Sequence, residues 1–123
     1  MARILIIEDD ASIRANLCRL LGFLGHEVVE AENGLLGIEA VRRERPDLIL
    51  CDVLMPGLDG FAVLATLRAE PAIARTPFAF LTASAEPDDK RLGMEQGADA
   101  YITKPFQVER LAGIINELLA RSR

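Results

Sequence analysis

The sequence predicts an α/β fold: a doubly wound, five-stranded parallel sheet with helices on both faces. Three observations carry that expectation. Short apolar, β-branched runs alternate with helix-patterned segments along the chain. Several of those runs are continuously apolar rather than alternating, which suits strands covered on both faces. Five strand–helix units fit within the 123 residues, enough for one open sheet and too few for a closed eight-fold barrel.

Each element has its own signal. The first run is Arg3-Ile4-Leu5-Ile6-Ile7. Ile13, Leu17, Leu20, Leu21 and Leu24 then recur at helical spacing, with Ser12 available as a cap and Gly22 and Gly25 near the end. Glu27-Val28-Val29-Glu30 is the second strand. Asn33 can cap a second helix with Gly37, Ile38 and Val41 inward and Pro46 beyond its end. Asp47-Leu48-Ile49-Leu50-Cys51 is the third strand, and Phe61, Leu64 and Leu67 mark the third helix. Ala69 to Thr76, with Pro71, is the longest irregular stretch. Pro77-Phe78-Ala79-Phe80-Leu81 is the fourth strand, followed by a weakly patterned helix between Pro87 and Gly97. Ala100-Tyr101-Ile102-Thr103 is the fifth strand. Leu111, Ile114, Ile115 and Leu118 give the last helix the clearest amphipathic period.

Composition narrows the function. The chain is 50% hydrophobic and 27% charged, an ordinary globular balance, and is expected to form one domain over residues 1–123 with no output module. No run reaches the ~20 apolar residues that span a bilayer. The start goes directly into a strand, so no secretory leader is expected and the setting is cytoplasmic. A net charge of −5 disfavours non-specific nucleic-acid and anionic-membrane binding. Cys18 and Cys51 read as buried apolar residues in a reducing cytosol. His26, the only histidine, reads as a surface turn residue. The only lysines are Lys90 and Lys104.

In open sheets of this kind ligands bind beyond the carboxyl ends of the strands. The residues there are Glu8-Asp9-Asp10, Asp52, Thr82 and Lys104-Pro105. Carboxylates brought to ~4 Å repel by about 1 to 4 kcal/mol, so such a cluster calls for a compensating cation or a perturbed pKa. An all-oxygen set without His or Cys suits a hard ion such as Mg2+. A lysine among carboxylates and a hydroxyl makes a point-charge phosphate binder, and an X-Pro bond can be cis, turning its side chain back. Simpler roles stand beside these. The acids can cap the first helix, Asp10 in particular; Asp52 can form a turn; Lys104 can offset the acidic cluster; Thr82 can cap a helix.

Four segments in register resemble the receiver domain of two-component response regulators. They are Ile6-Ile7-Glu8-Asp9-Asp10, Leu50-Cys51-Asp52-Val53-Leu54-Met55-Pro56-Gly57, Leu81-Thr82-Ala83, and Gly97-Ala98-Asp99-Ala100-Tyr101-Ile102-Thr103-Lys104-Pro105-Phe106. The resemblance implies a flavodoxin-like sheet of order 2-1-3-4-5. It implies Asp52 as phosphoacceptor, receiving a phosphoryl group from a sensor histidine kinase or phosphotransfer protein. Asp9, Asp52 and the main-chain carbonyl of Leu54 would ligate Mg2+ (Mn2+ able to substitute), with Glu8 acting through water. Thr82 would be the switch hydroxyl, Lys104 the phosphoryl ion pair and Tyr101 the aromatic switch that turns inward. The helix 4–strand 5–helix 5 face would then control a downstream protein.

The resemblance also sets limits. No enzymatic activity is expected beyond self-catalysed phosphotransfer and autodephosphorylation. Leu54 and Ser84 occupy positions that tune dephosphorylation, and apolar Leu54 suggests a long-lived phosphoryl state. Ala100 and Arg110 depart from the charged ladder of DNA-binding dimers, so a monomer or weak dimer is expected. The first helix near Arg14 and Leu17, and the Pro105-Phe106 loop, are the expected kinase contacts. The competing readings are a Mg2+-dependent aspartate-nucleophile phosphohydrolase, a nucleotide- or flavin-binding module, and a non-phosphorylated receiver-like interaction module. The first wants an Asp-x-Asp pattern after the first strand, which Glu8-Asp9-Asp10 lacks. The second wants a Gly/Ser/Thr-rich loop there.

Overall fold

The computed structural model describes residues 2–121. The elements alternate as expected: β1 (Arg3–Ile7), α1 (Ala11–Phe23), β2 (Glu27–Ala31), α2 (Gly34–Glu44), β3 (Leu48–Cys51), α3 (Gly60–Ala69), β4 (Phe78–Thr82), α4 (Pro87–Glu95), β5 (Ala100–Thr103) and α5 (Val108–Arg121). The strands form one parallel sheet in the order β2-β1-β3-β4-β5. Among the described residues no helix is long and apolar enough to cross a membrane.

Strand alternation splits the apolar residues into two cores. Leu5, Ile7, Ile49, Cys51, Phe78, Phe80 and Tyr101 face α2 and α3, where Ile38, Val41, Val63, Leu64 and Leu67 close over them. Ile4, Ile6, Leu48, Leu50, Ala79, Leu81 and Ile102 face α1 and α5, meeting Leu17, Leu21, Leu111, Ile115 and Leu118. Full burial of one such aliphatic side chain is worth about 1.5–3 kcal/mol. These two layers therefore supply most of the driving force for folding.

Several local expectations need correction. Asp10, not Ser12, caps α1, its carboxylate accepting from the Ile13 N–H at 3.0 Å. The carboxylate of Asp10 reaches the first turn from the residue immediately before the helix, so Ser12 falls inside it. Leu17 is 6% exposed. It packs in the α1–α5 core and cannot serve as part of an exposed contact face. Cys51 is buried, as read, while Cys18 is only half-buried. His26 is half-buried as well, and its Nδ1 is enclosed with no hydrogen-bond partner. Asn33 caps α2 as expected, accepting from the Leu36 N–H at 2.8 Å.

The irregular Ala69–Thr76 stretch is stitched down by arginine. The Arg68 guanidinium donates to the carbonyls of Ala74, Thr76 and Gly97, at 3.1, 2.7 and 2.9 Å, and Arg45 donates to the Ala72 carbonyl at 2.8 Å. Burial lowers the Arg68 pKa, and the charge of Asp99, 3.4 Å away, opposes that. The Lys104–Pro105 peptide is cis.

Candidate functional site

Sheet register builds the site. Ile7 pairs with Cys51 in adjacent parallel strands, so the next residues, Glu8 and Asp52, leave the sheet side by side. Asp9 follows Glu8. One carboxylate oxygen from each of the three lies within 4.8 Å of the others. At the far side, Thr82 pairs with Thr103, and the chain then presents Lys104. Its ammonium reaches back to Glu8 Oε1 at 3.1 Å and Asp52 Oδ2 at 3.8 Å. The lysine thus answers Glu8 first and Asp52 second.

Burial grades the three acids. Glu8 is 2% exposed and Asp52 9%, whereas Asp9 is exposed. Glu8 Oε2 accepts from the Asp10 N–H at 3.1 Å, and Asp52 Oδ1 accepts from the Leu54 N–H at 3.2 Å. Burial pushes the Glu8 carboxyl above the usual carboxylate range; the Asp10 amide and the Lys104 ammonium pull it back, and the charge of Asp52 pushes it further up. Three carboxylates face one ammonium, so the cluster retains negative charge. Its donors are all oxygen, two are nearly dry, and one remains open to solvent. That set fits a hard divalent cation held by a few carboxylates and water.

Gly60 permits this approach, a role that sequence reading missed. A Cβ there would lie 2.3 Å from the Asp52 carbonyl oxygen. The Gly60 N–H instead donates to the Val53 carbonyl at 3.0 Å, drawing the start of α3 under the site. The Asp59-Gly60 pair is the sequence signal that marks this turn.

Thr82 is fully buried, and its Oγ1 accepts from the Ser84 N–H at 3.2 Å. The Tyr101 ring is 9% exposed and lies inward, 5.7 Å from the Phe80 ring centroid. Its hydroxyl donates to the Ser84 carbonyl at 2.8 Å. Two groups therefore emerge. Glu8, Asp9, Asp52, Lys104 and the Leu54 backbone meet directly. Thr82 and Tyr101 are joined to one another through Ser84.

A doubly wound α/β domain with an acidic, lysine-bridged cluster at its carboxyl edge is the architecture of a signalling receiver. The response regulator receiver domain family matches residues 4–116, and the chain belongs to that family. It is 40% identical over 120 residues to Protein PilH of Pseudomonas aeruginosa, covering 98% of this chain and 99% of PilH. It is 44% identical over 117 residues to a gliding motility regulatory protein of Myxococcus xanthus, of which it spans only 15%. Chemotaxis protein CheY4 of Vibrio cholerae shares the fold with a TM-score of 0.89 and 31% identity, over 96% of this chain and 98% of CheY4. The protein is thus the receiver domain of a two-component response regulator.

Proposed function

We propose that Asp52 is the phosphoacceptor of a two-component phosphorelay, and that its phosphorylation switches the surface built by α4, β5 and α5. The observation that carries this reading is the juxtaposition of Asp52 with Glu8, Asp9 and Lys104. A carboxylate oxygen is itself the nucleophile here and needs no general base. One of its oxygens forms a bond to the phosphorus of a phosphohistidine on a partner kinase or phosphotransfer protein as the phosphorus–nitrogen bond breaks. The imidazole departs with that electron pair and takes up a proton. The acyl phosphate adds about −1.5 to −2 units of charge.

The surrounding residues supply what this transfer requires. Asp9 and Asp52 would hold Mg2+ (or Mn2+) directly with the Leu54 carbonyl, and Glu8 through water. When bound, the ion screens the cluster and neutralises charge on the transferring oxygens. Lys104 pairs with one equatorial oxygen and Thr82 donates to another. Lys104 lies 3.1 Å from Glu8 and 3.8 Å from Asp52, so the added phosphoryl charge draws it from Glu8 toward Asp52. Thr82, drawn toward the phosphoryl group while still accepting from the Ser84 N–H, carries the shift through Ser84 to Tyr101 and favours the inward ring. The chain acts on itself and is not otherwise an enzyme. Its setting is the cytoplasm, its state a monomer or weak dimer, and its output a protein partner.

The test is intact-mass spectrometry after acetyl phosphate and Mg2+. One labile phosphoryl group is expected on the wild type and none on Asp52→Asn. Labelling of Asp52→Asn to the wild-type level, or none on the wild type, overturns the reading.

A further inference from the structure

Ser84 is tied to three separate elements. Its N–H donates to Thr82 at the end of β4, its carbonyl accepts from Tyr101 on β5, and its hydroxyl donates to Asp89 Oδ2 on α4 at 2.5 Å. α4 has little else to hold its first turn. Glu86 at the N-cap makes no side-chain cap bond, and Gly93 is the one buried residue of the helix. A Cβ on Gly93 would lie 2.8 Å from the Phe80 ring and 3.5 Å from the Tyr101 ring. The helix thus rests on those two rings through a bare stretch of backbone, while Leu92 and Met94 are each 42% exposed. With so little side-chain burial, polar ties decide where the first turn sits.

We propose that Ser84 and Asp89 form a latch that fixes the first turn of α4 to the β4–α4 loop and thereby keeps Tyr101 inward. Both are positioning residues; neither bonds to the acidic cluster. While the latch is closed, the Ser84 carbonyl is held where the Tyr101 hydroxyl reaches it. Opening it frees the loop, removes the fixed acceptor and loosens α4 from Phe80. The consequence for signalling rests on the phosphoacceptor reading, whereas the latch itself belongs to the unphosphorylated chain.

Tyr101 is the only tyrosine and tryptophan is absent, so intrinsic fluorescence reports this ring alone. Acrylamide is neutral, so its quenching of that fluorescence follows exposure rather than charge. Ser84→Ala and Asp89→Ala should each shift the inward–outward ratio of the ring by roughly 3- to 10-fold, the weight of one hydrogen bond, and raise quenching accordingly. Ser84→Thr, which keeps the hydroxyl, should quench like the wild type. The double alanine variant should not exceed either single one. Wild-type quenching in both alanine variants, with circular dichroism unchanged, overturns the latch; so does failure of threonine to restore it. Asp89→Ala makes the same test without altering the loop should Ser84→Ala fail to fold. Acetyl phosphate labelling in parallel separates the two readings. An unlabelled wild type with the expected quenching pattern overturns the phosphoacceptor role and supports the latch, and labelling with flat quenching overturns the latch alone.

Discussion

Asp9 and Lys104 show how single charges set the state of the site. Lys104 already compensates Glu8 and, at longer range, Asp52, whereas no ion pair answers Asp9 among the described residues. Neutralising Asp9 should therefore relieve repulsion. In metal-free buffer Asp9→Asn is expected to raise the melting temperature by roughly 2–4 °C, and Mg2+ should stabilise it less than the wild type. A thermal scan with and without Mg2+ checks both. Leu54 is a second residue with a clear consequence. Its side chain is 60% exposed beside Asp52 and offers no polar group to orient an attacking water. Leu54→Asn should hasten loss of the phosphoryl group by roughly tenfold, the equivalent of about 1.4 kcal/mol of barrier. The decay of the phosphorylated mass measures it.

At the scale of elements, α4 is lightly held, with Gly93 its one buried residue, whereas β5 pairs along its whole length with β4. Phe80 links Phe61 on α3 to Tyr101 on β5, with ring centroids 5.4 and 5.7 Å away. Tyr101 therefore senses both the packing of the sheet and the placing of α4. Burial raises its phenol pKa above the usual 10.0; hydrogen bonding with Ser84 opposes that, and the charges of Asp89 and Asp52 add to the rise. The folded chain then holds this proton more tightly than the unfolded one. Stability should fall as the pH rises from about 10 through the folded value, and be unaffected by this group below that window. Absorbance titration follows the phenolate of the one tyrosine directly. A midpoint at or below that of the chain unfolded in denaturant would contradict this placement of the ring.

Across the whole molecule, both ends of the sheet are organised by charge, but to different ends. The carboxyl edge gathers acids with one lysine and leaves charge uncompensated. The amino edge uses arginine to satisfy backbone. Arg68 joins α3, the Ala69–Thr76 stretch and the turn before β5 by donating to three carbonyls, and Asp99 completes the junction by accepting from the Phe78 N–H at 2.9 Å. Arg68→Ala would leave those carbonyls without their donor. It should cost roughly 2 kcal/mol, lowering the melting temperature while leaving acetyl phosphate labelling intact. Urea unfolding and the labelling assay together test that separation of stability from site.

Much of this was legible in the sequence. Unbroken apolar runs in β3 and β4 report burial on both faces, and the acids directly after β1 and β3 report a charged edge, because a strand's pattern is written locally. The capping of α1 shows where local reading stops: Asp10 and Ser12, two positions apart, both offered a cap, and backbone geometry chose Asp10. What the sequence by itself determined was the fold class, the chemical types at the carboxyl edge and the family. Only the tertiary structure decided that Lys104 bonds Glu8 more closely than Asp52, that Gly60 lets α3 pass beneath Asp52, and that Ser84 joins Thr82, Tyr101 and Asp89. The physical reason is range. Periodicity along the chain records which face a residue buries, but the pairing of groups nearly a hundred positions apart depends on sheet order, register and the path of each loop.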